Sequence, residues 1–300
     1  MTVKGPHLST SELYSFLAVA EQGAISRAAS ALGVTQPALS WTIRQLEERF
    51  ETSLFVRSSR GVKLTRTGHI LSKRARGLLR DIEELETELR DEQDTVRGLY
   101  SIGVHPTLAT HTLPRFLPQL FAAWPELQIT IRHGSSQTIT QGVIDLQYDL
   151  GIVVNPNRHP ELTIVHLYDD LVRIWASPQF KWATDQARIP ILINPEMPQA
   201  EAILHALQKK NWFPDWRSVH TTDLHVISEL TAASCGLGII PEGVARRMPR
   251  TSLLAIKNGP TVKDQIALVW RRDAQRSKAS QLIREAIKGR LQQKGSRRKK

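Results

Sequence analysis

The sequence predicts an α/β chain that begins with an all-α, winged helix-turn-helix head, and three observations carry that expectation. Residues 26–50 read as two short amphipathic helices about a turn at Gly33. Residues 68–94 contain no proline and repeat apolar positions in alternating steps of four and three. From Leu99 onward, short apolar strands alternate with helical stretches, the pattern of a layered α/β domain.

Composition narrows the class before any motif is weighed. The 300 residues suffice for two domains, and 41% hydrophobic residues can form cores without disulfides. The single cysteine, Cys235, reads as a buried apolar thiol in an Ala-rich helix and rules out an intramolecular disulfide. No basic-then-apolar leader opens the chain, and no run approaches the roughly 18 apolar residues that span a bilayer. The expectation is a cytoplasmic protein with no membrane partner.

The net charge of +11 is unevenly spread. Residues 1–80 carry +7, residues 81–96 carry −7, residues 97–270 are nearly neutral at +1, and residues 271–300 carry +10. Positive charge beside a helix-turn-helix fits phosphate binding, whereas the neutral middle fits a sensor or enzyme domain.

In chain order, Ser9 and Glu12 have capping-box spacing, and Leu13, Phe16, Leu17 and Ala20 follow on one face of a first helix before Gly23. Ser26 reads as the cap of a second helix with Ala28, Ala29 and Leu32 facing inward, and Gly33 lets the chain turn. Thr35 caps a third helix, with Pro37 in its first turn and Leu39, Ile43 and Leu46 as its buried stripe. Gln36, Ser40, Trp41 and Arg44 are left on the open face, where a helix suits the major groove of double-stranded DNA. An αα-hairpin in an ordinary core is the competing reading. Next, Leu54, Val56, Val62 and Leu64 alternate around a Ser-Ser-Arg-Gly turn, which reads as a two-stranded wing projecting Arg57, Arg60 and Lys63 toward phosphates, or as a merely solvated basic turn.

With these residues in view, the chain resembles the LysR-type transcriptional regulators. The shared residues are Phe16-Leu-Ala-Val-Ala-Glu21, Ser26-Arg-Ala-Ala29, Leu32, Thr35-Gln-Pro-Ala-Leu-Ser40, Ile43, Leu46-Glu47, Leu54-Phe55, Arg57, Arg60, Leu64-Thr65 and Gly68. The resemblance implies that Gln36, Pro37 and Ser40 approach bases, while Arg27, Arg57 and Arg60 contact phosphates or the minor groove. Trp41 departs from the basic or small polar residue usual at its position.

The next segment has a heptad seam of Leu71, Ala75, Leu78, Ile82, Leu85 and Leu89. Lys73, Arg74, Arg76 and Arg80 crowd its first half, while Asp81, Glu83, Glu84, Glu86, Glu88, Asp91, Glu92 and Asp94 crowd its second. That order opposes the helix dipole, so an antiparallel twin that sets each basic half beside the other's acidic half would compensate it. A solvated polar face is the alternative. The expectation is a homodimer through this helix, and the resemblance implies the same antiparallel pairing; further assembly to a homotetramer is expected.

Apolar strand segments lie at 100–104, 127–131, 150–154, 162–168, 171–176, 189–193, 238–240 and 266–270, with helical stretches between and a closing helix near 281–291. The resemblance implies two Rossmann-like subdomains of the periplasmic-binding-protein type with a cleft between them. In open sheets ligands sit beyond strand C-termini near helix N-termini, a position suited to anions. Thr107, Ser135, Ser136 and Asn194 fit that place, and Asp223 and His225 would lie across the cleft. Each also reads as an ordinary cap or turn residue. A small-molecule, anionic effector is the expectation. Leu146 stands where the resemblance implies a glycine.

The expected domains are residues 1–66 for the head, 67–96 for the dimerisation helix, 97–293 for effector binding and 294–300 for a basic, disordered tail. The effector part divides into 97–165 with 266–293, and 166–265. No P-loop, zincin or nucleophile-elbow pattern occurs, and the ten histidines lack metal-ligand spacing, so no enzyme, cofactor or metal is expected. A solute-binding transport component and an α/β enzyme are the rival readings.

Overall fold

A computed structural model describes residues 8–58, 61–90, 96–180, 188–210, 212, 215–247, 253–273 and 278–292. The chain divides into two compact units, residues 1–95 with 145–147, and residues 96–144 with 148–300. Arg60, Asp91, Glu92, Asp94 and the tail from 294 to 300 lie outside the described residues, as do the side chains of Glu84, Glu88 and Leu89.

The first unit opens with α1 (Thr10–Gln22), α2 (Ile25–Leu32) and α3 (Gln36–Arg49). The Ser9–Glu12 capping box starts α1 as expected, and Gly33 ends α2 at φ +68, a conformation that costs a residue with a Cβ far more. Ser26 does not cap α2. The N-cap is Ala24, with no side-chain hydrogen bond, and Ser26 lies inside the helix. Thr35 caps α3 by accepting the Ala38 N–H at 3.4 Å. Phe16, Val19, Ala28, Leu39, Ile43 and Leu46 form the centre of this core.

The wing is β1 (Phe55–Ser58) paired antiparallel with β2 (Gly61–Leu64). Its alternation differs from the expected one. Phe55 is buried and meets the Phe16 ring at 5.1 Å, while Val56 is exposed. Leu54, Val62 and Leu64 pack on the head core as expected, and the departure is Val56, which pairs with Lys63 on the outer face while Phe55, paired with Leu64, takes the inward place.

Helix α4 (Arg66–Arg90) runs 25 residues, about 38 Å. Its apolar positions serve two faces rather than one seam. Leu71, Ala75 and Leu79 join the head core, whereas Leu78, Ile82 and Leu85 are exposed. The first turns of α4 are thus already committed within the chain.

The second unit is built on one nine-stranded sheet. Its elements are β3 (Gly98–Val104), α5 (Pro106–Thr112), α6 (Leu117–Ala123), β4 (Leu127–His133), α7 (Ser136–Ile144), β5 (Leu150–Val154), β6 (Leu162–Ala176), β7 (Ile189–Ile193), α8 (Pro198–Lys209), β8 (Trp216–His220), α9 (Leu224–Ala232), β9 (Leu237–Pro241), α10 (Glu242–Ala245), β10 (Leu254–Ala255), β11 (Val262–Arg271) and α11 (Lys278–Leu291). The order is β4-β3-β5-β11-β6-β9-β7-β8, with β10 on β6. Strands β4, β3 and β5 are parallel, as are β9, β7 and β8, and the antiparallel pair β11 and β6 joins the two sets.

Parallel strands buried on both faces need continuous apolar runs. Ile152 and Val153 accordingly enter cores on opposite faces, the first shared with Ile283 and Ile287 of α11, the second with Ile139 and Val143 of α7. Ile191 and Leu192 repeat this division in the other parallel set. The segments 162–168 and 171–176, read separately in the sequence, are one strand, because Asp169 and Asp170 stay in register with Gln265 and Asp264 of β11. Leu146 takes φ +60, the left-handed backbone conformation that suits the glycine expected at its position. Cys235 is exposed in the turn after α9, not buried within a helix.

Candidate functional sites

In the first unit, the outward face of α3 begins at its capped N-terminus. Gln36, Pro37, Trp41 and Arg44 are exposed and Ser40 is half-buried, while Leu39, Ile43 and Leu46 hold the opposite face in the core. Thr35 is exposed and its hydroxyl is engaged as the cap. The last turn of α3 is anchored at two points. Arg49 donates to Glu12 at 2.7 and 3.1 Å, and Glu47 Oε1 accepts the Leu54 and Phe55 N–H groups at 2.8 and 3.2 Å. The Arg49 guanidinium pulls the Glu12 carboxyl down to about 2.

The wing is fixed to the turn between α1 and α2. Val62 N–H donates to Gly23 O at 2.9 Å. A Cβ on Gly61 would stand 2.5 Å from that same oxygen, and Gly61 has φ +119. Arg57 and Lys63 are both exposed, on opposite faces of the ribbon, since Arg57 pairs with Val62 and Lys63 with Val56. Arg27 folds back onto the end of α1, its guanidinium donating to Gln22 O from Nε at 3.1 Å and from Nη2 at 2.5 Å. Glu47 and the Gly23–Gly61 contact went unread as positioning features. Their signal is long-range, carried by a carboxylate seven residues before the amide it caps and by two glycines brought together only by the fold.

In the second unit, the expected effector residues fall at the C-terminal ends of parallel strands. Strands β3 and β4 pair Val104 with His133, so Thr107 and the Ser135–Ser136 pair follow neighbouring strand ends. Strands β7 and β8 pair Ile193 with His220, which brings Asn194 near the segment leading to Asp223. Four of these side chains also have a local duty. Ser135 Oγ accepts the Thr138 N–H at 3.1 Å, Ser136 Oγ accepts the Val154 N–H at 2.9 Å, and Asp223 Oδ1 accepts the His225 N–H at 2.7 Å. Buried Asn194 donates to Thr222 O at 3.0 Å and accepts the Glu196 N–H at 2.8 Å. Thr107 is buried, and its N–H donates to His105 Nδ1 at 3.3 Å. Burial, aided by His133, lowers the His105 pKa and so favours the neutral ring that this acceptor role needs. His225 is exposed in the first turn of α9.

The sequence reading missed a polar group on the two strands that join the parallel sets. Asp170 of β6 and Asp264 of β11 are register partners, and both are buried. Burial pushes Asp170 up to about 6 although the Leu171 and Gly243 N–H groups, at 2.9 and 3.1 Å, favour its charged form. Asp264 is raised by burial as well, and its Oδ1 accepts from Gln199 at 2.6 Å and Asn155 at 2.8 Å. Nearby on β6, the Tyr168 hydroxyl lies 3.1 Å from His111 Nε2, and Arg247 donates to Thr110 O at 2.7 Å. Burial raises the Tyr168 pKa. The acids announce themselves in the sequence only as an interruption of apolar strand.

Among the described residues no three His, Cys, Asp or Glu side chains are grouped to hold a metal ion, and no helix is long and apolar enough to cross a membrane.

Comparison with known proteins agrees with this architecture. Residues 10–69 match the model of the bacterial regulatory helix-turn-helix protein, lysR family, and residues 93–292 match the LysR substrate binding domain. The HTH-type transcriptional regulator BbuR of Bordetella bronchiseptica is 32% identical over 62% of this chain, the match spanning 59% of BbuR's own length. A point variant of full-length OxyR from Pseudomonas aeruginosa superposes with a TM-score of 0.70 at 18% identity, covering 96% of this chain and 95% of that one. Full-length CbnR in complex with its target DNA gives 0.61 at 22% identity, covering 95% and 99%. Both parts of the sequence, the capped three-helix head with its wing and the two parallel strand sets joined by crossing strands, thus match LysR models, and the chain belongs to the LysR family of bacterial regulatory proteins.

Proposed function

We propose that the chain is a transcriptional regulator, not a catalyst, that binds double-stranded operator DNA in the cytoplasm and responds to a small-molecule effector. The observation that carries this reading is the open face of α3, where Gln36, Pro37, Ser40 and Arg44 are available beside a capped helix start while the opposite stripe is buried. These four residues face the bases. Arg57 and Lys63, with Arg60 and Arg27, take phosphates or the minor groove, and Thr35 keeps α3 capped. That the structural neighbour CbnR forms a complex with its target DNA supports a DNA partner.

Residues 1–66 then serve as the head and 67–96 as the dimerisation helix. Residues 97–293 bind effector, with halves 97–165 plus 266–293 and 166–265. The exposed Leu78, Ile82 and Leu85 support a homodimer through α4, and two dimers make the tetramer. Thr107, Ser135, Ser136, Asn194, Asp223 and His225 line the effector site. Their place beyond the C-terminal ends of parallel strands, beside helix starts, supports an anionic ligand there.

The test is selective binding to the DNA upstream of the chain's own gene, measured against random duplex. Replacing Gln36, Ser40, Arg57 and Lys63 together by alanine abolishes selectivity while the melting transition persists. Retention of selectivity in that folded variant would sink the reading. A thermal-shift screen with small carboxylates and aromatic metabolites tests the effector class.

A further inference from the structure

Among the described residues of the head, Trp41 is the most exposed large apolar side chain, with 63% of its surface open. At 100° per residue it lies about 200° from both Leu39 and Ile43, directly away from the core. Pro37 and Arg44 lie about 40° and 60° from it on the same open face of α3, with Ser40 about 100° away, and the exposed cations Arg57 and Lys63 stand on the wing. An indole in that position gains nothing from its own fold and loses apolar contact to water.

We propose that Trp41 is a specificity-determining residue that packs on the 5-methyl group of a thymine in the major groove, so that each operator half-site requires a thymine at one fixed position. This inference rests on the docking of α3 proposed above. Arg44 on the same face and the exposed Arg57 and Lys63 of the wing favour a polyanion as the partner. Within the major groove, guanine, cytosine and adenine present hydrogen-bonding edges, and thymine alone adds an apolar group. An indole ring laid over the other edges would leave donors or acceptors unsatisfied, whereas over the methyl it buries apolar surface on both sides. The discrimination therefore combines a gain at thymine with a desolvation penalty at the alternatives.

Replacing thymine by deoxyuridine removes only the methyl group and leaves base pairing intact, which makes it the direct test. Operator duplexes selected by the full-length protein are resynthesised with each thymine exchanged in turn, and dissociation constants are measured at physiological salt. One symmetry-related pair of positions weakens binding by about fourfold per half-site, the value of one buried methyl group. Trp41→Ala weakens binding to the unmodified operator and abolishes the response to deoxyuridine at that pair, while Trp41→Phe keeps part of the response. Melting curves confirm that both variants are folded.

Selective binding by the unaltered protein that is indifferent to every exchange overturns the inference. So does a Trp41→Ala variant as sensitive as the parent, the outcome expected if the indole met a phosphate or a second copy of the chain. Loss of all selectivity in the unaltered protein overturns the docking of α3 itself, which the first two outcomes leave standing.

Discussion

Glu12 in the first turn of α1 holds both terminal guanidinium nitrogens of Arg49 in the last turn of α3, at 2.7 and 3.1 Å, and also accepts the Ser9 N–H at 2.8 Å. One carboxylate thus caps the opening helix and anchors the last turn of α3. Its pKa is lowered from 4.5 to about 2, so its contribution to stability is complete above the unfolded value of 4.5 and disappears as pH falls toward 2. Glu12→Gln should cost about 1 kcal/mol at neutral pH through the weakened capping box and pair. The difference in melting temperature from the parent should shrink on acidification below pH 4.5; a difference that is flat with pH would contradict the assignment.

Asp170 has the opposite sign. Its folded pKa of about 6 lies above the ordinary value of 3.8, so the folded chain retains a proton that the unfolded chain releases, and stability falls as pH rises between those values. Asp170→Asn keeps an acceptor for the Gly243 N–H and removes the buried charge. It should raise stability above pH 6 by on the order of 2 kcal/mol and have little effect below pH 4. Thermal melts of the two proteins across that range check it.

The two apolar faces of α4 let the proposed assembly be tested apart from folding. Leu79→Ala, in the head core, should destabilise the head by about 2–5 kcal/mol. Ile82→Glu, on the exposed face, should leave melting of a dilute sample nearly unchanged and shift sedimentation toward monomer. A dimer that survives Ile82→Glu combined with Leu85→Glu would show that this face is not the interface.

The cations of the wing and the polar residues of α3 should differ in kind. Lys63→Ala should weaken binding to all duplexes alike and lower the salt dependence by about one unit of slope. Gln36→Ala should cost about 1–3 kcal/mol at the operator and relax preference at one base position. Affinities at several salt concentrations distinguish the two patterns.

Much of the head is legible from local chemistry, since the Ser9–Glu12 box, the Thr35 cap and the Gly33 turn each act within a few residues. What escapes is decided by neighbours distant in sequence. Phe55 rather than Val56 points inward because Phe16 stands opposite it, and Leu71 and Ala75 leave the helix seam because the head core takes them. In the second unit the strand ends and their hydroxyl residues are readable from apolar runs. The Asp169–Asp170 interruption looks like a break until β11 supplies partners for both.

The contact between Gly61 and the Gly23 carbonyl has a mechanical consequence. With 2.5 Å separating a would-be methyl from that oxygen, and a 2.9 Å hydrogen bond on the next residue, the hairpin cannot slide without shearing the first interhelical turn. On the docking proposed above, ribbon and α3 would meet a duplex as one stiff die, and where an operator's groove width did not suit that die, the duplex would supply the compliance through its flexible base steps.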